Sequence, residues 1–311
     1  KMPKLLVIFG VTGQQGGSVA ETVLADPELS KGYCIRGTTR DPSSVQAQEL
    51  AKKGIEVVAA SIEDPASVRS AFTGADVVFA NAITIYDGHA RDHEVRQGRA
   101  LADAAVAVGV PKYIYSTLPN GGKSSNGKYK NMGHFDGKAE VEDYIRTLPI
   151  ESAFIALGSF MSNFNASMAP HPAGDGTYTF AAIVSPQAKM PLVNTADDTG
   201  KFVAAILADF PRYKGEVLSC ATALYSFEEI AQAMSKASGK TVAYRQFPVD
   251  VWKGFLPPLM SDHIVDMLLY FEDFGYFGEN TEEKVKWSAE QATGHLTTLD
   301  EYFQAHPLNL A

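Results

Sequence analysis

Residues 5–20 read LLVIFGVTGQQGGSVA. Leu5 to Phe9 form an unbroken apolar run, as in a strand covered on both faces. Gly10, Gly13 and Gly16 follow as G-x-x-G-x-x-G, and GGSVAETVLAD (16–26) has helical character. Strand, glycine turn and helix in this order are what a phosphate-binding β-α-β unit requires. The glycines let the backbone turn tightly and approach a pyrophosphate, which lies on the N-terminus of the helix, where free N–H groups and the helix dipole favour an anion. A glycine triad alone reads equally as a structural turn. Its place between the first strand and the first helix selects dinucleotide binding.

The same rhythm continues outward. YCIRGTTR (33–40), IEVVAAS (55–61), ADVVFANAI (75–83), KYIYSTL (112–118) and ESAFIALG (151–158) read as strands. Between them SSVQAQELAKKG (43–54), DPASVRSAFTG (64–74), DHEVRQGRALADAAVAVG (92–109) and MGHFDGKAEVEDYIRTLPI (132–150) read as helices. The alternation predicts an α/β fold: a doubly wound parallel sheet of the Rossmann, NAD(P)-binding type over residues 1–157. The second half differs. Segment 159–195 is rich in Pro, Gly, Asn and aromatics, with little periodicity, and 249–276 is dense in Trp, Phe, Leu, Met and Tyr. ADDTGKFVAAILAD (196–209) reads as a helix and GEVLSCA (215–221) as a strand, so 196–221 is expected to pack back on the first sheet. SFEEIAQAMSKASG (226–239) reads as a helix capped by Ser226 with Glu229 in the capping-box position, TVAYRQF (241–247) as a strand, and TTLDEYFQAHP (297–307) as a short helix. Residues 158–311 are therefore expected to form a smaller, interleaved α+β domain for a substrate or partner.

The chain has 311 residues, 45% hydrophobic and 20% charged, with a net charge of −9. Its basic residues are scattered, the nearest approach to a cluster being Lys123, Lys128 and Lys130, so direct contact with nucleic acid is not expected. Cys34 and Cys220 lie in apolar, strand-like runs and read as small buried hydrophobes in a reducing compartment. No apolar run reaches the roughly 18 residues of a membrane span. The chain enters a strand at once, which reads as no secretory leader, and Lys1 before Met2 reads as an appended residue. The expected setting is the cytoplasm, with the nucleus as the alternative, and the expected state a monomer or homodimer.

The end of the second strand distinguishes the nicotinamide cofactors. An acidic residue there binds the ribose 2′-hydroxyl, whereas an arginine accommodates a 2′-phosphate. Arg40 stands at that place and Asp41 one residue later. The guanidinium fork favours NADP(H) over NAD(H), the alternative being a surface pair of Arg40 with Asp41 or Glu63. In the helix 132–150, His134 and Lys138 share one stripe with Val141, Ile145 and Leu148. A histidine and a lysine on a stripe that is otherwise apolar need an account, and for Lys138 one is an i,i+4 ion pair with Glu142.

FGVTGQQGGSVA, TTRDP, QGRALADAAVAVG, YSTLPN, HFDGKAEVEDYIR and GSFMSNF (158–164) together resemble the NmrA-like proteins, atypical members of the short-chain dehydrogenase superfamily. The glycine pattern with H-F-x-x-K is closest to the redox-sensing branch. The resemblance is strongest from Leu5 to Asn163 and weak beyond Thr222. It implies that Gly10 to Gln15, including Thr12, Gly13, Gln14 and Gln15, with Gly16 behind them, hold the pyrophosphate of NADP(H), and that Arg40 meets its 2′-phosphate. Ser61, where the family often has Asp, and Ile62 would flank the adenine. Ala82, Ile83 and Thr84 would line the nicotinamide side, and Arg96 replaces a family lysine near the cofactor. Phe160 and Asn163 would close over the nicotinamide, and Lys138 would reach its ribose hydroxyls.

Ordinary short-chain dehydrogenases carry Y-x-x-x-K, the tyrosine giving a proton to a carbonyl. Here His134 holds the tyrosine position, so that phenol is missing. Either His134 or a water supplies the proton, or His134 is only a helix-start residue. Ser116 and Thr117 end the fifth strand, where the superfamily keeps a hydroxyl. The loop 119–133, with Tyr129 and Lys130, reads as a lid or as a disordered segment. His89 and His93 have metal-pair spacing but no third ligand, and read as a solvated helix start. Met161, Phe164, Trp252, Phe255 and Met260 line an apolar pocket on one reading and belong to the core on the other. Three functions follow: an NADPH-dependent oxidoreductase acting on a small apolar substrate, in natural-product metabolism on the family's example; a non-catalytic NADP(H) redox sensor that regulates a transcription factor or enzyme by contact; or a scaffold that keeps the nucleotide for stability.

Overall fold

The structure, a computed structural model, describes residues 2–310; Lys1, read above as an appended residue, lies outside them. The main-sheet strands of the first half are β1 (Lys4–Ile8), β2 (Tyr33–Thr39), β3 (Glu56–Ala59), β4 (Val77–Ala80), β5 (Lys112–Thr117) and β6 (Glu151–Leu157). Beyond them come β7 (Ser159–Phe160), β8 (His171–Pro172), β9 (Tyr178–Ala182), β10 (Lys189–Val193), β11 (Val217–Cys220), β12 (Ala223–Ser226) and β13 (Val242–Gln246). Seven strands form one sheet in the order β11-β6-β5-β4-β1-β2-β3, and every pairing in it is parallel. The doubly wound parallel sheet expected from the alternation is present.

The helices of this part are α1 (Gln14–Ala25), α2 (Leu29–Gly32), α3 (Val45–Lys52), α4 (Pro65–Phe72), α5 (Ala90–Ala107), α6 (Gly121–Ser124), α7 (Gly133–Ile145) and α8 (Thr195–Ala208). β1 shows why the run LLVIF is continuous. Leu6 and Ile8 join Val19, Val23, Phe202 and Ile206 on the face of α1 and α8, while Val7 and Phe9 join Phe72, Leu101, Val141 and Ile145 on the face of α4, α5 and α7. Each face of the strand is covered, so neither set of alternating side chains is polar. α8 returns to this layer, with Gly200 N–H donating to Ser18 Oγ at 2.9 Å, and β11 pairs with β6.

Two three-stranded sheets, β12-β10-β7 and β13-β9-β8, complete the strands. β7, β8, β9 and β10 lie inside the segment with little periodicity, whereas β13 coincides with the strand expected over 241–247. Four of the five residues of β10 are buried and its centre is Pro191, so neither alternation nor strand propensity marks it. The aromatic stretch 249–276 forms helices Val249–Lys253 and Pro258–Phe274, the second burying Ser261, Val265, Leu268 and Phe271 at helical spacing. Helix Thr281–Gln291 carries no periodic apolar stripe that would mark it in the sequence: Val285 is its buried apolar residue, while Trp287 is 39% exposed. The capping box of Ser226 and Glu229 is present. The strand expected over 75–83 stops at Ala80, since the backbone beyond it is held by side chains rather than by a neighbouring strand. Cys34 is a correction: it lies exposed at the start of β2, whereas Cys220 is buried. No helix among the described residues is long and apolar enough to cross a membrane.

α1 packs so tightly on the glycine turn that a Cβ at Gly16 would stand 2.4 Å from Gly10 O and 3.0 Å from Val11 Cα. Both contacts are backbone and cannot swing away. Gly16→Ala is expected to lower stability by about 1–3 kcal/mol through overpacking, read as the shift in the urea unfolding midpoint. An unchanged midpoint would show that the turn relaxes freely.

Candidate functional site

In a parallel sheet all the carboxyl ends share one edge, and a ligand crevice opens where the strand order reverses. Here β1 lies between β2 and β4. The residues singled out in the sequence follow these strand ends: the glycine turn after β1, Arg40 after β2, Ser61 and Ile62 after β3, Ala82 to Thr84 after β4, and Phe160 and Asn163 after β6.

The turn is fastened before any ligand arrives. Gly10 has φ +77°, and its N–H donates to Thr38 Oγ1 at 3.0 Å. Val11 N–H donates to Thr38 O and Gly13 N–H to Gly10 O, both at 3.0 Å. Gly13 is the N-cap of α1 and brings no side-chain acceptor, so the first-turn N–H groups of Gln14, Gln15 and Gly16 have no side-chain cap, an arrangement that can accept an anion. Gln15 Oε1 is buried and unpartnered, and Thr12 Oγ1 lies 3.5 Å from Thr39 Oγ1. Arg40 is exposed, and among the described residues it makes no ion pair. Its two alternative partners are engaged elsewhere: Asp41 accepts from the Ser43 hydroxyl at 2.5 Å, and Glu63 from Arg96 at 3.0 Å.

At the other end, α5 and α7 enclose a buried polar group. Lys138 Nζ lies 2.7 Å from Glu94 Oε2 and donates to Ala82 O at 3.3 Å. Thr84 Oγ1 donates to Glu94 Oε1 at 2.5 Å, and Ile83 N–H to Gln97 Oε1 at 2.9 Å. The alternative i,i+4 pair is absent: Glu142 binds Arg146 instead. His134, one turn before Lys138, is buried and its Nδ1 has no partner. Its ring centroid is 4.4 Å from that of His263 and 6.0 Å from that of Tyr86. Burial first, then His263 and Lys138, push the His134 pKa well below its usual value, so the imidazole is neutral. His263 is also lowered, by burial; its Nδ1–H donates to Asn131 O at 2.9 Å. Thr117 Oγ1 donates to Lys138 O at 3.3 Å, and Ser116 is buried beside it.

The loop 119–133 is ordered and strapped down, which corrects the disordered alternative. Asn120 caps α6, and Gly122 N–H donates to the Asp136 carboxylate at 3.1 Å. Tyr129 is buried and its hydroxyl meets Asp273 at 2.5 Å, while the N–H groups of Lys130 and Asn131 converge on Asp266 at 3.1 and 3.0 Å. His89 is exposed, and His93 Nε2 pairs with Asp87 at 2.8 Å. The five apolar pocket candidates are not brought around one opening. Met161 and Phe164 have no exposed surface, Phe164 packing against Phe180 and Phe303. Trp252 and Met260 are half-buried, and Phe255 is 71% exposed.

Glu94, Gln97, Tyr86 and His263 are additions to the residues read from the sequence. The first two had a signal: they occupy the buried stripe of α5 with Gly98, Leu101 and Ala105, the same pattern that drew notice to His134 and Lys138. Tyr86 and His263 carry none, since only packing brings them together.

The neutral, buried His134 makes stability depend on pH. Unfolded, it titrates near about 6.5. As pH falls through that value the unfolded chain takes up a proton that the folded chain refuses, so this contribution is complete above it and lost below. The slope approaches about 1.4 kcal/mol per pH unit for one group. Urea unfolding at stepped pH across that range should show the loss, and His134→Phe should reduce its slope, leaving the smaller share of the likewise lowered His263; an equal slope in the variant would exclude His134 as a source.

Comparison with known proteins places this geometry. Residues 2–303 match the model of the NmrA-like family. The chain is 31% identical over 256 residues to the NmrA-like family domain-containing oxidoreductase malD of Malbranchea aurantiaca, covering 78% of this chain and 75% of that protein. It matches the fold of NmrA, a negative transcriptional regulator, in complex with NADP, with a TM-score of 0.79 at 20% identity over 99% of each chain. It matches the NADPH-dependent quinone oxidoreductase of Escherichia coli, complexed with NADPH, with a TM-score of 0.74 at 24% identity over 97% of this chain and 99% of that one. With a family match that runs through the parallel sheet and both smaller sheets, this chain belongs to the NmrA-like family.

Proposed function

We propose that the chain binds NADP(H) across the carboxyl edge of the sheet and uses it to reduce a small, apolar substrate. The observation that carries the cofactor assignment is Arg40, exposed after β2 and, among the described residues, without an ion pair, while Asp41 and Glu63 are engaged elsewhere. Support comes from the relatives: malD is named an oxidoreductase, and the two solved structures hold NADP and NADPH.

On this reading the free amides of α1, with Gly10 to Gly16, hold the pyrophosphate, and the Arg40 fork takes the 2′-phosphate. Ser61 and Ile62 flank the adenine, with Arg96 nearby. Ala82 to Thr84, Phe160 and Asn163 border the nicotinamide, and Lys138 gives its remaining N–H donor to the ribose. When bound, the reduced nicotinamide supplies a hydride. His134, held neutral, is a hydrogen-bonding group for a substrate oxygen rather than an imidazolium acid, so the proton comes finally from water. Residues 1–157, with 196–221 packed back onto their sheet, form the cofactor part, and the rest of 158–311 the substrate or partner part. The unpaired, exposed Cys34 thiol fits a reducing compartment such as the cytoplasm.

A specific observation favours a second reading, a redox sensor that acts by protein contact. Val251, Phe255 and Leu259 expose 48%, 71% and 69% of their surface within one short stretch, as at a site of association.

Arg40→Ala should weaken NADPH by about 10- to 100-fold, the worth of a charge-assisted contact, and leave NADH nearly unchanged; equal loss for both overturns the 2′-phosphate assignment. Lys138→Ala should lower the affinity for both nicotinamide cofactors without unfolding the chain, and an unchanged Kd counts against its place at the ribose. Turnover is read from the near-ultraviolet absorbance of bound NADPH against a panel of apolar enones, quinones, imines and aldehydes. Oxidation supports the enzyme; no oxidation by any member, with binding intact, supports the sensor.

A further inference from the structure

We propose that Glu94 is the positioning residue of the nicotinamide half-site, and that its charge sets how the protein ranks the oxidised against the reduced dinucleotide. The inference rests on the NADP(H)-binding reading above.

Glu94 is wholly buried, and its two oxygens have separate duties. Oε2 holds the ammonium of Lys138 at 2.7 Å, and Oε1 accepts from Thr84 at 2.5 Å. The same ammonium reaches Ala82 O, and Gln97, one turn along α5, takes the N–H of Ile83. Thus Ala82, Ile83 and Thr84, the residues after β4, are each tied to a buried side chain of α5 or α7. Of the three ammonium donors two are used, leaving one for a ligand. The two helices are brought together for this purpose: a Cβ on Gly137 would lie 2.8 Å from Glu94 Cβ, and one on Gly98 would lie 2.6 Å from the Val141 methyls.

A buried ion pair is a poor stabiliser, because the cost of stripping water from both charges rivals their attraction, and an apolar pair of similar volume often does as well. Its use here is positional and electrostatic. The nicotinamide ring carries a positive charge when oxidised and none when reduced. Lys138 alone would repel the oxidised ring, and at low dielectric such a repulsion acts over several ångströms. Glu94 cancels that field while leaving the lysine in place. Without it, the site should turn against NADP⁺ more than against NADPH.

The test measures the Kd of NADPH, NADP⁺ and adenosine 2′,5′-bisphosphate, which lacks the nicotinamide half, for the full chain and for Glu94→Gln and Thr84→Val. Glu94→Gln should weaken both dinucleotides and raise the ratio of the NADP⁺ to the NADPH constant by about fivefold or more, with the bisphosphate unchanged. Thr84→Val keeps the ion pair and should weaken both dinucleotides by a smaller, equal factor, again sparing the bisphosphate. An unchanged ratio in Glu94→Gln, or a parallel loss of the bisphosphate, overturns the proposal by reducing Glu94 to a structural part. Should Glu94→Gln not fold, the Thr84→Val result decides: dinucleotide affinity equal to that of the unaltered chain overturns it. If the unaltered chain binds the bisphosphate but neither dinucleotide, this proposal fails alone; if it binds none of the three, the NADP(H) reading itself has failed.

Discussion

Seven strands running the same way leave seven carboxyl ends on one edge, and this constraint organises everything else in the molecule. Parallel pairing requires each connection to cross the sheet through a helix, so both faces are covered and neither can open to a ligand. The edge is what remains. Where the order turns about β1, the connections diverge to opposite faces and leave a crevice between them. The glycine turn follows β1 at that point, and Gly16 has no room there for a methyl group against Gly10 O. The first turn of α1 and the Arg40 side chain after β2 are set apart along this edge by the sheet itself.

The second half-site obeys a different logic. Around the glycine turn, backbone groups do the holding and the side chains are small. Between α5 and α7 a carboxylate, an ammonium, an amide and a hydroxyl are packed where water is excluded. Groups of this kind are tolerated inside a protein only when each finds a partner, and here the partners are one another and the backbone of 82–84. His134 Nδ1 and the Tyr115 hydroxyl are exceptions, buried without a hydrogen-bond partner. The neutrality of His134 follows from the same exclusion of water. The strap of residues 119–133 closes this region from outside, fastened to helix Pro258–Phe274 through Asp266 and Asp273. The second half of the chain meets the edge of the sheet through apolar packing as well, since Leu118, Met132, Phe135 and Ala156 share one buried cluster with Phe164, Phe180 and Phe227.

How much could be read in advance depended on the range of the forces involved. The run LLVIFG, the glycine spacing, Arg40 after the second strand and the stripe of α7 are all local patterns, and each is where the pattern placed it. The segment 159–195 was opaque because β7, β8 and β10 are short, and β10 carries a proline in a strand paired on both sides. For Trp252, Phe255 and Met260 pocket and core stayed open alternatives, because aromatic density does not distinguish a helix buried on one face from a cavity wall. Cys34 looked buried from its neighbours, yet as the second residue of β2 its side chain is exposed, and continuous burial begins only further along the strand.

By itself the sequence determined the parallel sheet, the anion turn and the identity of the cation that follows it, since these need only the periodicity of adjacent residues and the conformational freedom of glycine. It also brought His134 and Lys138 to one face, because four residues are one helical turn. Which group Lys138 would meet was decided by tertiary structure alone. Glu142 and Glu94 were both available, one four residues away and the other 44. The close packing of α5 on α7 chose the distant one, because a buried ammonium requires a buried counter-charge, and Glu142 stands on the partly solvated side of the helix with Arg146.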